Sequence, residues 1–453
     1  MKNVFLPKML KDIDTVGFFG LGKSNQAVMR LLPKDVRVIL RSEGTVKKED
    51  IPRGIKPIAI YEGADAFRHF DEQILFLSPS VRRERAEFDE ARLRGVQFSS
   101  DFELFLSENS SPLFAISGSD GKSTTASLTA MLLSGGRRKF APMGNIGLPF
   151  CRSLPNRADR ITVAELSSFQ LRYTSPRAKR AVVTNITPNH LNWHADFEEY
   201  KNTKISLLDG AEEKVIFADD SHLFEYSRGK SLFGAVSVKM NYKELKERLT
   251  SANYFTIQDG YLAKNGDKLL PLSHVRLVGE HNVKNLLTAI AMTDGYATRE
   301  KIVEVAAGFG GLSHRCELIG EFCGIKFINS SIDTTPSRTE TTLNSLGENL
   351  IVILGGRSKG CDYTNLKNSL SAHAKLAIIT GENREEIKSD IKGGVDIAVT
   401  DDFEEAIIYA ASVAKAGDTV LLSPASVSYD SFKSFEERGE KFKEIIFDFY
   451  KNR

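Results

Sequence analysis

LFAISGSDGKST, residues 113–124, decides the architecture. Leu113 to Ser117 reads as a buried strand, Gly118-Ser-Asp-Gly121 as a turn, and Thr125 to Leu133 as the body of a helix. Strand, glycine loop and helix in that order form the context a phosphate-binding P-loop requires. Backbone N–H groups at a helix N-terminus surround phosphate oxygens, the lysine neutralises the outer phosphates, and a Ser or Thr hydroxyl holds magnesium. Lys122 and Ser123 supply those last two groups, so nucleoside triphosphate binding is expected. The full spacing would place glycine at position 116, where this chain has Ile116, so the loop is a shortened form. A chance Gly/Ser turn is the bland alternative, and Lys122 at the mouth of the helix argues against it.

The alternation of strand and helix extends outward from this loop. Upstream, Thr15 to Phe19, Val36 to Leu40, Ile74 to Leu77 and Val96 to Ser99 read as strands, and the polar stretch Ser107 to Pro112 closes the block. Downstream, strands are expected at Ile161 to Ala164 and Ala181 to Thr184, followed by an apolar helix, Val283 to Met292. The alternation restarts near His314 with Lys326 to Asn329, Asn349 to Leu354, Leu376 to Thr380, Val395 to Val399 and Asp418 to Leu422. Such alternation marks parallel sheets with crossover helices. The expected class is α/β in three domains: a Rossmann-like amino-terminal domain over 1–111, a central P-loop domain with a mainly parallel sheet over 112–312, and a Rossmann-like carboxy-terminal domain over 313–453. A chain of 453 residues fits three domains of roughly 100 to 200 residues each.

Composition removes several classes. Lys plus Arg is 61 and Asp plus Glu is 59, a net charge of +2 with no long like-charge block, so neither nucleic acid nor a membrane surface is an expected partner. The four cysteines contain no C-x-x-C pair, which speaks against a zinc site or a disulfide framework. Without a signal-peptide pattern at MKNVFLPKML or an 18-residue apolar run, the cytoplasm is the expected compartment. A monomer is the working expectation, although the sequence itself does not give the oligomeric state.

Three more stretches carry chemistry. Glu165 ends an apolar strand, the edge where ligands of parallel sheets gather, and suits a magnesium contact; a helix-capping role is equally open. Phe197, Tyr200, Lys204, Leu207 and Leu208 share one helical face, which sets an ammonium among apolar neighbours. Desolvation lowers a lysine pKa, and a neutral amine can react with carbon dioxide to form a carbamate; snorkelling to solvent is the alternative. Asn185 to His194 gathers two imidazoles and Trp193, the only tryptophan. Gly20-Leu-Gly22-Lys23-Ser24-Asn25 begins like a dinucleotide fingerprint, yet Asn25 stands at the third glycine and Arg41-Ser42 where a ribose-binding acid belongs, so phosphate cradling or a plain tight turn is expected rather than nicotinamide binding.

Taken in order, Gly20 to Ser24, Leu77-Ser78-Pro79, the P-loop, Gly144-Asn145-Ile-Gly147, Glu165 to Gln170, Asn185 to His190, Tyr200-x-x-x-Lys204, Gly279 to Asn285, His314-Arg315-x-Glu317, Gly355 to Lys359 and Leu422 to Gly439 resemble the Mur ligases along essentially the whole chain. The resemblance is greatest to the members that add D-glutamate to UDP-N-acetylmuramoyl-L-alanine. It implies ATP as co-substrate, two Mg2+ sites and an acyl-phosphate route. By the same resemblance, Gly118, Ser119, Asp120, Gly121, Lys122, Ser123, Thr124, Asn282, Asn285 and Arg315 would bind ATP, and Lys122, Glu165, His190 and Lys204 would be catalytic. Ser123, Glu165, His190 and a carbamylated Lys204 would serve the metal. Gly22, Lys23, Ser24, Arg41, Ser42, Ser78, Pro79 and Asn145 would meet the UDP substrate, and Thr334, Lys359, Ser428, Tyr429 and Phe435 the D-glutamate.

The chain departs from the family pattern at Asn329-Ser330-Ser331, where Asn-Asp-Ser is common and a carboxylate near the ATP ribose is lost. Two alternatives are set by these residues: a Mur ligase for another amino acid, disfavoured by the missing Asp-Asn-Pro-Arg motif, and a non-catalytic nucleotide-sensing paralogue, favoured by Ser330 alone.

Overall fold

The computed structural model describes residues 6–135, 140–154, 160–277, 279–358 and 360–451. Two compact units emerge. One comprises Met1–Pro271 and Asn285–Ile302; the other comprises Leu272–Lys284 and Val303–Arg453. The architecture is α/β in three domains, each built on its own sheet.

The first sheet contains β1 (Thr15–Phe19), β2 (Arg37–Ser42), β3 (Pro57–Glu62), β4 (Ile74–Leu77) and β5 (Gln97–Ser99) in the order β3-β2-β1-β4-β5, all parallel. β1 and β4 are central, and every residue in them is buried. β3 was not expected from sequence: it lies on the edge, alternates half-buried and exposed residues, and begins at a proline, which has no N–H to donate. The chain order reverses between β1 and β4, so the crevice at their carboxyl ends is the place where such a sheet takes a ligand.

The second sheet contains β6 (Leu113–Ser117), β7 (Met143–Gly144), β8 (Thr162–Glu165), β9 (Ala178–Val183), β10 (Ala211–Phe217), β11 (Leu232–Val236), β12 (Ser251–Gln258), β13 (Tyr261–Lys264) and β14 (Asp267–Pro271). Their order is β14-β13-β12-β11-β10-β9-β6-β8-β7, parallel except for the antiparallel β12-β13-β14 edge. Asp259-Gly260 and Asn265-Gly266 turn that edge, with positive φ at all four residues, as tight two-residue hairpins demand.

In the second unit, β15 (Glu317–Phe322), β16 (Ile325–Asn329), β17 (Leu350–Gly355), β18 (Ala374–Thr380), β19 (Ile397–Val399) and β20 (Thr419–Leu422) follow the order β15-β16-β20-β17-β18-β19. Only β15 runs antiparallel to its neighbour. Along β17, Leu350, Val352 and Leu354 enter the core on one face while Ile351 and Ile353 enter the other, so helices cover both sides. No helix among the described residues is long and apolar enough to cross a membrane.

Candidate functional site

The helix Lys122–Leu133 starts where Gly121, at φ 77°, turns the chain out of β6. This loop is fastened on both flanks. Asn185, just beyond β9, accepts Ser119 N–H on its carbonyl at 2.9 Å and Asp120 N–H on Oδ1 at 2.8 Å. Thr184 Oγ1 donates to the Asp120 carbonyl at 2.5 Å. A Cβ on Gly118 would lie 2.0 Å from Thr184 Oγ1, and one on Gly121 would lie 2.3 Å from Asn285 Oδ1. Both glycines also have positive φ, so side chains are excluded here by contact and by conformation. Asn285 thus abuts the P-loop, while Asn282 and Arg315 belong to the second unit. Lys122 Nζ reaches back to the Ser119 carbonyl at 2.8 Å, and Ser123 and Thr124 are buried in the first turn.

Glu165 pairs in register with Ile116, two residues before the loop. It is fully buried; Oε1 accepts from Asn145 Nδ2 at 2.8 Å, and Oε2 has no hydrogen-bond partner among the described residues. An anionic oxygen left bare in a protein interior is costly, and it marks a place for a cation. Lys204, on the helix Phe197–Asp209, is 2% exposed and donates to the Gly118 carbonyl at 2.8 Å, beneath the same loop. Burial, followed by repulsion from Lys122, holds its pKa well below the usual lysine range, against the pull of Asp120 and Glu165. Tyr200, one turn earlier, ties this helix to the loop through a 2.8 Å hydrogen bond with Ser119 Oγ. His190 stands exposed at φ 54°, with its ring edge-on to Phe169. His194 is buried with neither ring nitrogen hydrogen-bonded among the described residues, and burial lowers its pKa to about 4.

This donor set fits magnesium. No cluster of three or more His, Cys, Asp or Glu side chains forms among the described residues. Magnesium needs none, because it keeps several waters and takes one or two carboxylates plus substrate phosphate. Glu165 Oε2 and the Ser123 hydroxyl are the donors in hand.

At the first sheet, Gly22 caps the helix Lys23–Met29, and Gly20 packs so closely on Ser78 that a Cβ would meet Ser78 Oγ at 2.4 Å. The fingerprint start and the Ser78-Pro79 turn therefore lie together at the β1/β4 crevice. Asn25, in the third glycine's place, donates from Nδ2 to the carbonyls of Phe19, Gly20 and Phe76, tying the two strand ends. Ser24 faces Asp101, a carboxyl that burial pushes up to about 6, partly offset by Ser24 and the backbone N–H groups of Phe102 and Phe150.

Arg41 corrects the expectation of a substrate contact. It is fully buried and spends its guanidinium on Glu72, at 2.6 and 2.9 Å, and on the carbonyls of Ala66, Arg68 and His69. With every N–H donor engaged, it is internal structure; Ser42, the next residue, remains half-buried at the strand end.

In the second unit, Ser330 is fully buried and accepts the Cys316 N–H at 3.2 Å. Three residues on, the Asp333 carboxyl is buried and accepts from Thr342 and Ser423, each at 2.8 Å. Thr334 is half-buried, Ser428 buried and Tyr429 61% exposed, and Phe435 opens the helix Phe435–Lys451 with its ring edge-on to His314. Lys359 lies outside the described residues. A cleft of about 1030 Å³ at the carboxyl ends of β17 and β18 is lined by none of these.

P-loop, Glu165 and buried lysine on an α/β frame define an ATP-dependent ligase. Residues 116–293 match the Mur ligase middle domain and residues 314–426 the glutamate ligase domain of Mur ligases. The chain is 32% identical to a UDP-N-acetylmuramoylalanine–D-glutamate ligase of Clostridium botulinum, over 95% of this chain and 96% of that protein. It is 31% identical to a protein of the same name from Ruminiclostridium cellulolyticum, over 97% and 98%. Among solved structures, the Thermotoga maritima UDP-N-acetylmuramate-alanine ligase shares the fold at TM-score 0.60, 18% identity and coverage of 96% and 99%; the MurF ligase of the same organism, in complex with ADP, does so at 0.55, 15%, 96% and 98%. The chain belongs to the Mur ligase family.

Proposed function

We propose that this chain joins D-glutamate to UDP-N-acetylmuramoyl-L-alanine, acting in the cytoplasm as a monomer. The domains would divide at 1–111, 112–312 and 313–453, for the UDP substrate, ATP and the amino acid in turn. The muramoyl-alanine carboxylate attacks the γ-phosphate of ATP, releasing ADP and leaving an acyl phosphate. The amine of D-glutamate then adds to that carbonyl, and the tetrahedral intermediate expels phosphate. Lys122 and the backbone N–H groups of Gly121 to Thr124, at the mouth of the helix, hold the phosphates, with Gly118, Ser119 and Asp120 shaping the loop around them and Asn285, Asn282 and Arg315 helping. Lys204, its pKa lowered by burial, adds to carbon dioxide through its unprotonated amine, forms an N–C bond and loses a proton to become a carbamate anion. Two magnesium ions held by Ser123, Glu165, His190 and that carbamate would offset the charge that develops in phosphoryl transfer. Gly22, Lys23, Ser24, Ser42, Ser78, Pro79 and Asn145 receive the UDP substrate; Thr334, Lys359, Ser428, Tyr429 and Phe435 receive D-glutamate.

The observation that carries the reading is the bare Glu165 Oε2 at the strand end next to a P-loop that rests on Lys204. The choice of D-glutamate rests on the names of the clostridial relatives. The test is phosphate release with ATP, magnesium and UDP-N-acetylmuramoyl-L-alanine against D-glutamate, L-glutamate, diaminopimelate and L-lysine, with product mass determined. Ligated product with D-glutamate alone is expected. Silence with nucleotide still bound favours the sensing paralogue, for which buried Ser330 is the supporting feature.

A further inference from the structure

The segment after Ser78-Pro79 is clasped to the segment that carries His190. Arg82 Nη1 donates to the Trp193 carbonyl at 2.7 Å, and its guanidinium carbon lies 5.3 Å from the centre of the indole ring. The indole answers: Trp193 Nε1 donates to the Ser80 carbonyl at 2.7 Å. The next two residues are fastened to the central sheet's elements as well. Arg83 N–H donates to the Tyr173 hydroxyl at 3.1 Å, and that hydroxyl donates to Glu84 at 2.6 Å. On its far side, Trp193 packs 4.5 Å from Phe169, whose ring is 4.9 Å from the His190 imidazole. The N–H groups of Trp193 and His194 both donate to the His190 carbonyl, at 2.9 and 3.0 Å. They hold His190 in a left-handed conformation that a residue with a side chain keeps only when its surroundings enforce it.

We infer that Arg82 and Trp193 are positioning residues that link occupation of the Ser78-Pro79 loop by the UDP substrate to the placement of His190. The inference rests on the function proposed above. Stability alone explains the clasp poorly, because Arg82 keeps 31% of its side chain exposed, where ionic contacts contribute little. What the clasp does fix is geometry between two loops that the chemistry needs in register, since a phosphoryl acceptor and its activating groups must meet within a fraction of an ångström.

The molecule contains its own reporter, because Trp193 is the only tryptophan in 453 residues. Its emission is followed while UDP-N-acetylmuramoyl-L-alanine is added without ATP or magnesium, and binding is measured in parallel by calorimetry. In the unaltered protein, emission should change in step with the heat. Arg82→Ala should bind the compound within about fivefold of normal, lose the emission change, and turn over about tenfold more slowly, with KM little altered, because the groups it positions are misplaced. Arg82→Lys, which retains a donor, should recover part of both. Should Arg82→Ala not fold, Trp193→Phe gives the same split between kcat and KM. Binding with unchanged emission in the unaltered protein, or normal turnover in folded Arg82→Ala, overturns the inference. No heat of binding in the unaltered protein overturns the proposed function, and this inference with it.

Discussion

Arg41 and Lys204 are both basic side chains sealed inside a sheet-based interior, and they have been treated in opposite ways. Arg41 meets a carboxylate and three carbonyls, so its charge is neutralised and each donor is used. Gly17 makes room for the pair, since a Cβ there would lie 2.4 Å from Glu72 Oε1. Lys204 hydrogen-bonds the Gly118 carbonyl and has no carboxylate within ion-pairing distance among the described residues. A buried charge given full compensation serves architecture; one left under-compensated retains reactivity.

Removing the two basic side chains should separate these roles. Lys204→Ala is expected to slow ATP-dependent phosphate release by about 10²- to 10³-fold, with a melting temperature little changed, because the amine that leaves the interior is one whose charged form burial disfavours and which has no ion-pair partner among the described residues. A variant with normal turnover would collapse the contrast. Arg41→Met should cost about 3 to 5 kcal/mol in urea denaturation by stranding Glu72. Adding Glu72→Gln should restore much of that loss, since replacing a pair is cheaper than breaking one.

Asp101 offers an intermediate case. Its carboxyl is pushed up to about 6 from 3.8, so the folded state holds the proton more tightly than the unfolded chain. The associated stability is complete below the unfolded value and is lost as pH rises through the folded one. Between about pH 4 and pH 7 the balance between wild type and Asp101→Asn should therefore move toward the variant by about 3 kcal/mol, read from denaturation at each pH. The smallest effect is expected at Asp196, whose side chain accepts the Glu199 N–H and caps the helix bearing Lys204. Asp196→Ala should cost about 1 kcal/mol in the same denaturation experiment.

What could be read without coordinates follows from how local each cause is. Ile74–Leu77 was anticipated to the residue because four consecutive apolar side chains, buried on both faces, leave no choice of period. Helical spacing within a dozen residues set Lys204 on an apolar face but left snorkelling to solvent open, and the resemblance to the Mur ligases is what singled it out. The β12-β13-β14 edge was announced by Asp259-Gly260 and Asn265-Gly266, a turn signal that went unread. Arg41 was beyond reach: its inward course depends on Glu72, 31 residues away, and on space left at Gly17. Asn185 is likewise invisible as a P-loop anchor until β9 is known to lie beside β6.

The two P-loop glycines also constrain how this sequence can drift. Any side chain at 118 collides with Thr184, and any at 121 with Asn285, neighbours separated from them by 66 and 164 positions in the chain. Shrinking either neighbour first would loosen the loop, and enlarging either glycine first would distort it. Shrinking the neighbour would remove the collision but not the positive φ, so the two glycines are closed to single and to paired changes alike, and Thr184 and Asn285 are left to vary only within the space a glycine leaves them.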